Sequence, residues 1–295
     1  MTNSRTSGRP GEPRIDGGRR GVLVGGVALA AAAAASRTAS AQTPAAPKGP
    51  YRSQSSWLVE FTGHKGDKGL AYYARPEGAG PFPAAVVIHH APGWDDWTME
   101  VARKLAHNGI IGIAPNLYFR EPGSPDDQAA KARADGGVSD DQVVGDVEGA
   151  LAFVRARPEA NGKVGVMGFC SGGRHSFISA GRIKSINAMV DCWGGSVVVS
   201  DPALLVPKRP VNPIDYAKDI NCPILGIFGN DDQNPDKAQV NKIEEVLKSL
   251  GKTYDFHRYD GAGHAFLASE RPNYRPEQAV HAWQKIYAFF HKSLA

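Results

Sequence analysis

Apolar and polar positions change period along this chain in a regular way, and each change predicts an element. Trp57–Thr62 and Leu70–Ala74 alternate around a Gly/Lys/Asp turn, which predicts an antiparallel strand pair. Ala84–His89 is a continuous apolar run, the signature of a central buried strand. Thr98–His107 has helical spacing and stops at Asn108-Gly109, and Ile110–Ala114 reads as the next strand. Asp140–Arg155 repeats Val143, Val147, Leu151 and Val154 at helical intervals and leads to the short apolar run Val164–Met167. Further strands are predicted at Ala188–Cys192, Pro223–Phe228 and Thr253–Tyr259. Lys237–Leu250 predicts an amphipathic helix ending at Gly251. A last helix, Pro276–Lys292, would place Val280, Trp283, Ile286, Tyr287 and Phe290 on one face. There is no internal repeat. Alternating strands and helices imply an α/β fold: a mostly parallel central sheet with helices on both faces, and ligand sites beyond the carboxyl ends of the strands.

The first residues lie outside this pattern. Arg19-Arg20 precedes Gly21-Val22-Leu23-Val24 and an Ala-rich stretch through Ala35, and Ala39-Ser40-Ala41 matches a small-residue cleavage site. Residues 1–41 therefore read as a twin-arginine-type export signal, with a periplasmic or secreted destination and no stable membrane anchor after cleavage. Residues 42–54, rich in Pro and Ala, read as a flexible spacer, and 55–295 as one domain. The leader also changes the charge argument. It holds six arginines against Glu12 and Asp16, which accounts for the net +4 of the whole chain; 28 basic and 28 acidic residues remain. A neutral mature chain gives no support for a nucleic-acid partner. The partner it suits is a small molecule, handled by a monomer or small homo-oligomer.

The chemistry gathers at predicted strand ends. Gly168-Phe169-Cys170-Ser171-Gly172-Gly173 follows one strand and opens a helix, the layout of a nucleophile elbow with cysteine at its apex. Glycines two before and two after Cys170 remove the side chains that would clash in so sharp a turn. The strand through Phe228 ends in Gly229-Asn230-Asp231-Asp232, and the next ends just before Asp260-Gly261-Ala262-Gly263-His264. The order nucleophile, acid, base points to a triad of Cys170, Asp232 and His264. His264 would take the thiol proton, and Asp232 would fix the imidazole tautomer. Asp231 and Asp191 are rival acids. The backbone N–H groups of Ser171 and Ala91 are the expected oxyanion donors. Ser171 itself reads as a helix-start residue. Cys170, Cys192 and Cys222 show no spacing that suggests zinc, so neither metal nor cofactor is expected, and a Cys192–Cys222 disulfide remains open.

At these residues the chain resembles the dienelactone hydrolase family. The resemblance rests on the cysteine elbow, Ala114-Pro115-Asn116-Leu117-Tyr118-Phe119-Arg120, Gly229-Asn230-Asp231-Asp232, and Tyr259-Asp260-Gly261-Ala262-Gly263-His264-Ala265-Phe266, and it spans residues 55–293. It implies an α/β-hydrolase domain that opens enol-lactones or related esters through a Cys-His-Asp triad. It also implies that Arg120 binds a substrate carboxylate. Two positions depart from the family's pattern. His90 stands where a glutamate usually holds the cysteine, and Ala268 where a second substrate arginine is expected, with Arg271 nearby. His90 and Trp94 are candidate substrate contacts, and Trp94 and Trp97 either line an aromatic pocket or pack. The reading is an exported ester or lactone hydrolase working through an acyl-thioester. The alternatives are an acyltransferase or thioesterase with the same triad, or a non-catalytic binding protein on a hydrolase scaffold.

Overall fold

The computed structural model describes residues 54–295; the leader and nearly all of the spacer read from the sequence lie outside the described residues. Eight strands form one sheet: β1 (Gln54–Thr62), β2 (Lys68–Pro76), β3 (Phe82–Ile88), β4 (Ile111–Pro115), β5 (Ala160–Phe169), β6 (Ala188–Cys192), β7 (Ile224–Gly229) and β8 (Tyr254–Tyr259). Their spatial order is β1-β2-β4-β3-β5-β6-β7-β8. β1, β2 and β4 pair antiparallel, and every pairing from β4 to β8 is parallel. The chain runs from β3 to β4 on one side and then returns across β3 to β5 on the other. This reversal makes the carboxyl ends of β3 and β5 a topological switch point, the place where open α/β sheets bind ligands.

The helices are α1 (Asp96–His107), α2 (Pro125–Ala134), α3 (Asp140–Arg155), α4 (Ser171–Arg182), α5 (Lys237–Ser249) and α6 (Pro276–Leu294). Alternation along the strands divides the core between two faces. Ala84, Val86 and Ile88 of β3 and Val164 and Val166 of β5 pack with α3, α4 and α5. Ala85 and Val87, with Met167 and Phe169, pack on the other face with α1 and α6. Strands buried on both faces need unbroken apolar runs, which is why the central ones were readable from sequence.

One helix is not singled out by the sequence pattern, and one expectation changes. Pro125–Ala134 buries only Ala129 and Ala132, so it carries no apolar stripe. It forms because Ser124 and Asp127 make a reciprocal capping box and proline opens the first turn. On α6, Val280 is 56 % exposed; the buried stripe is Ala279, Ala282, Trp283, Ile286, Phe290 and Leu294. At about 100° per residue, position 280 lies beside that stripe rather than within it.

Candidate active site

Cys170 sits between the end of β5 and the first residue of α4, with φ 57° and ψ −120°. A side chain in that region is strained, and the surroundings hold it there. A Cβ at Gly168 would collide with the Gly172 carbonyl, and one at Gly172 with the carbonyls of Ile88 and His89. Only glycine lets β5, α4 and the end of β3 come this close. The Cys170 N–H donates to the Cys192 carbonyl (3.0 Å), which ties the elbow to the end of β6.

Three side chains converge on this point from three strand ends. Asp232, after β7, accepts a hydrogen bond from Nδ1 of His264, after β8, at 2.8 Å. Its other oxygen accepts from the Asn234 N–H (2.9 Å). His264 in turn bonds the Cys170 sulfur, at which the backbone N–H groups of Ser171 and Ala91 also point. Burial alone would push the Cys170 thiol up, but His264 and the two N–H groups outweigh it and bring the thiol below its ordinary range. Burial would likewise lower His264, yet Asp232 and Cys170 raise it to about 9. Both shifts favour a thiolate beside an imidazolium, and the start of a helix favours a negative charge at the same place. The edge of the buried Trp193 ring supports the imidazole at 6.2 Å.

The rival acids have other work. Asp191 accepts the Gly194 N–H (2.7 Å), and burial raises its carboxyl to about 7. The Asp231 N–H donates to the Ala262 carbonyl, which fixes the turn before His264. All three cysteines are free. Burial pushes Cys192 well above the ordinary thiol range and Cys222 up to about 12.

The expected substrate contacts are placed otherwise. Arg120 makes a two-pronged bond to Asp146 (2.8 and 2.9 Å) and a third to Asp67 (2.7 Å), and lies over the Phe119 ring. Asp146 has no exposed side-chain surface, so the arginine neutralises a buried carboxylate instead of facing the cysteine. Trp94 is buried and donates its indole N–H to the Ala114 carbonyl (2.8 Å); Trp97 packs edge-on against Phe169 at 4.5 Å. Both therefore pack. His90 is buried with Nε2 2.6 Å from the Asp95 carboxylate, which also caps α1 through Thr98. Burial would raise Asp95, but His90 and Thr98 hold it well below the usual carboxylate range. Ala268 is buried, and Arg271 pairs with its neighbour Glu270.

Other residues around the Ala91 carbonyl and Tyr118 were not singled out from sequence. Tyr118 is raised by burial and feels the Cys170 charge, and its hydroxyl lies 3.5 Å from the Ala91 carbonyl. Arg133 donates to the same carbonyl (3.1 Å). The Arg209 guanidinium crowds Gly137 and faces Tyr118, with its Nε buried and without a hydrogen-bond partner. Tyr118 stands in a segment already recognised at a strand end and was findable. Arg133 belongs to the helix with no apolar stripe, and Arg209 to a Pro-rich connection, so neither carried a signal. A separate groove of about 1350 Å³, lined by Phe82, Lys104, Trp283 and Tyr287, includes none of the triad residues.

Residues 70–294 match the Dienelactone hydrolase family. A Methylorubrum extorquens protein named "Putative carboxymethylenebutenolidase" is 36% identical over 224 residues, 75% of each chain. An Escherichia coli protein of the same name is 33% identical over 231 residues, covering 77% of this chain and 83% of the other. A solved structure titled as a putative dienelactone hydrolase, from Klebsiella pneumoniae, aligns with a TM-score of 0.72 at 30% identity, over 81% of this chain and 99% of that one.

Proposed function

The chain belongs to the dienelactone hydrolase family, and from that premise we propose that Cys170, His264 and Asp232 hydrolyse a small carboxylic ester or lactone through an acyl-thioester. That it is a hydrolase of lactones or esters follows from the family. The observation that supports the cysteine mechanism is the unbroken contact from Asp232 through His264 to a sulfur faced by two backbone N–H groups. In the first step the Cys170 thiolate attacks the carbonyl carbon, and the π pair moves to oxygen, where Ala91 and Ser171 N–H groups receive it. Collapse breaks the bond to the leaving oxygen, which takes a proton from the His264 imidazolium.

Acylation alters the base. The thiolate is one of the two groups that raise His264. Once it carries an acyl group that support ends, and the imidazole becomes a better acceptor for the proton of an incoming water. Water then attacks the thioester, the thiolate departs, and the acid and a restored ion pair remain. Asp232 keeps one tautomer throughout.

The leader read in the sequence supports export to the periplasm or beyond, which fractionation of cells carrying Arg19→Lys/Arg20→Lys tests through accumulation inside. For the chemistry, Cys170→Ala is expected to abolish turnover of a chromogenic short-chain ester while far-UV circular dichroism and melting stay unchanged. Undiminished turnover would remove Cys170 as the nucleophile. Replacing water with added alcohols or amines as acceptors separates hydrolysis from acyl transfer by product analysis.

A further inference from the structure

His89 is 1 % exposed, and both of its ring nitrogens are committed. The backbone N–H of Leu117 donates to Nε2 (3.1 Å). A backbone N–H can only donate, so Nε2 carries no proton, and the proton sits on Nδ1. That nitrogen lies 2.9 Å from the His90 carbonyl and therefore donates to it. Burial lowers the ring to about 4, more than its backbone contact restores, so it is neutral near pH 7.

The His90 carbonyl and the Ala91 N–H are the two ends of one peptide group. Its N–H is the one that faces the Cys170 sulfur. The Gly93 N–H also donates to that carbonyl (3.0 Å), closing a tight turn. Two donors on a peptide oxygen draw charge toward it and make the opposite N–H a stronger donor. They also fix the plane of the peptide, and an oxyanion site depends on that plane. Leu117 stands just beyond β4, so the ring clasps the ends of β3 and β4 around the elbow.

We infer that His89 is a positioning residue: its Nδ1–H holds and polarises the His90–Ala91 peptide so that the Ala91 N–H meets the oxyanion formed during acylation. This rests on the reading of Cys170 as nucleophile. The rival explanation is packing alone, since the ring also meets the edge of Tyr118 at 4.6 Å.

Two substitutions separate these roles because they mimic different nitrogens. In His89→Asn the amide nitrogen falls at the place of Nδ1 and keeps the donation, losing the Leu117 acceptor. In His89→Gln the amide oxygen reaches the place of Nε2 and keeps the Leu117 bond, losing the donation. His89→Gln is expected to lower kcat for a chromogenic ester roughly tenfold, with KM within about twofold, a fraction of the loss from deleting an oxyanion donor outright. His89→Asn is expected to keep kcat within about threefold while melting earlier. Alkylation of Cys170 by iodoacetamide forms no oxyanion, so its high-pH plateau rate is expected to match wild type in both. Normal kcat in the Gln variant, equal losses in both variants, or alkylation falling in step with turnover would overturn the inference. Should the Gln variant not fold, the Asn variant decides: near-normal kcat supports the role, and a tenfold loss with normal alkylation overturns it. Turnover that survives Cys170→Ala would instead overturn the nucleophile reading, whatever the His89 variants do.

Discussion

Replacing Asp232 with asparagine keeps its shape and removes its charge, so it isolates what the carboxylate does for the thiol. Its side chain is 3% exposed and lies 2.8 Å from His264 Nδ1. The imidazole titrates at about 9 against an ordinary 6.5, roughly a 300-fold greater hold on its proton. Asp232 is the leading favourable cause and Cys170 the next, both working against burial. The ring is also 35% exposed, so solvent screens part of the effect. A loss of about tenfold in proton affinity is the discounted expectation for Asp232→Asn. The imidazolium holds the thiolate, and His264 stays protonated near pH 6 in both proteins, so the change should appear at the upper end of the ion pair's range. Following the His264 ring protons by NMR from about pH 5 to 10 reads this directly. The expected result is a His264 midpoint lower by about one pH unit in the variant. A midpoint that stays in place would refute the support that Asp232 gives the imidazolium.

Arg120→Ala leaves the buried Asp146 carboxylate without its partner, which costs about 3 kcal/mol and should appear as a lower Tm, with KM for a carboxylate-bearing ester within about twofold. A raised KM with unchanged melting would instead place Arg120 in the substrate site. Asp191 has a second, pH-dependent consequence. Its folded-state pKa, raised by burial from 3.8 to about 7, means that its contribution to stability is full below about pH 4 and is lost as pH rises toward 7, by at most about 4 kcal/mol. Asp191→Asn keeps an acceptor for Gly194, so its Tm should match wild type near pH 4.5 and exceed it near pH 8; an equal difference at both would refute the assignment.

The central strands were legible because each is buried on both faces, so apolar residues dominate its run, with Asp191 in Ala188–Cys192 the polar exception. Asp140–Arg155 and Ala188–Cys192 carry the same bounds in sequence and structure. The convergence of Cys170, Asp232 and His264 was legible because each follows a strand, and strand ends are countable. Side-chain direction was not. Arg120 stands in a recognised segment, but what it faces depends on Asp67 and Asp146, far away in sequence. Trp94 and Trp97 looked equally suited to a pocket or a core, and only the packed neighbours decide between them. His89 was read as the last apolar-run position of a strand. Its role depends on the Leu117 N–H, twenty-eight residues away, and no local pattern announces such a contact.

The state of the three thiols makes the folded molecule countable. Cys192 and Cys222 are buried and their thiols raised, whereas Cys170 is partly accessible and its thiol lowered by His264. With a thiol reagent in excess near neutral pH, one thiol per chain should therefore react quickly, and two more only when the chain unfolds. The first equivalent counts chains whose Cys170 is folded into its reactive setting, and the remaining two count the total protein, so a single stoichiometric ratio gives the fraction of chains with that setting intact without any knowledge of the natural substrate.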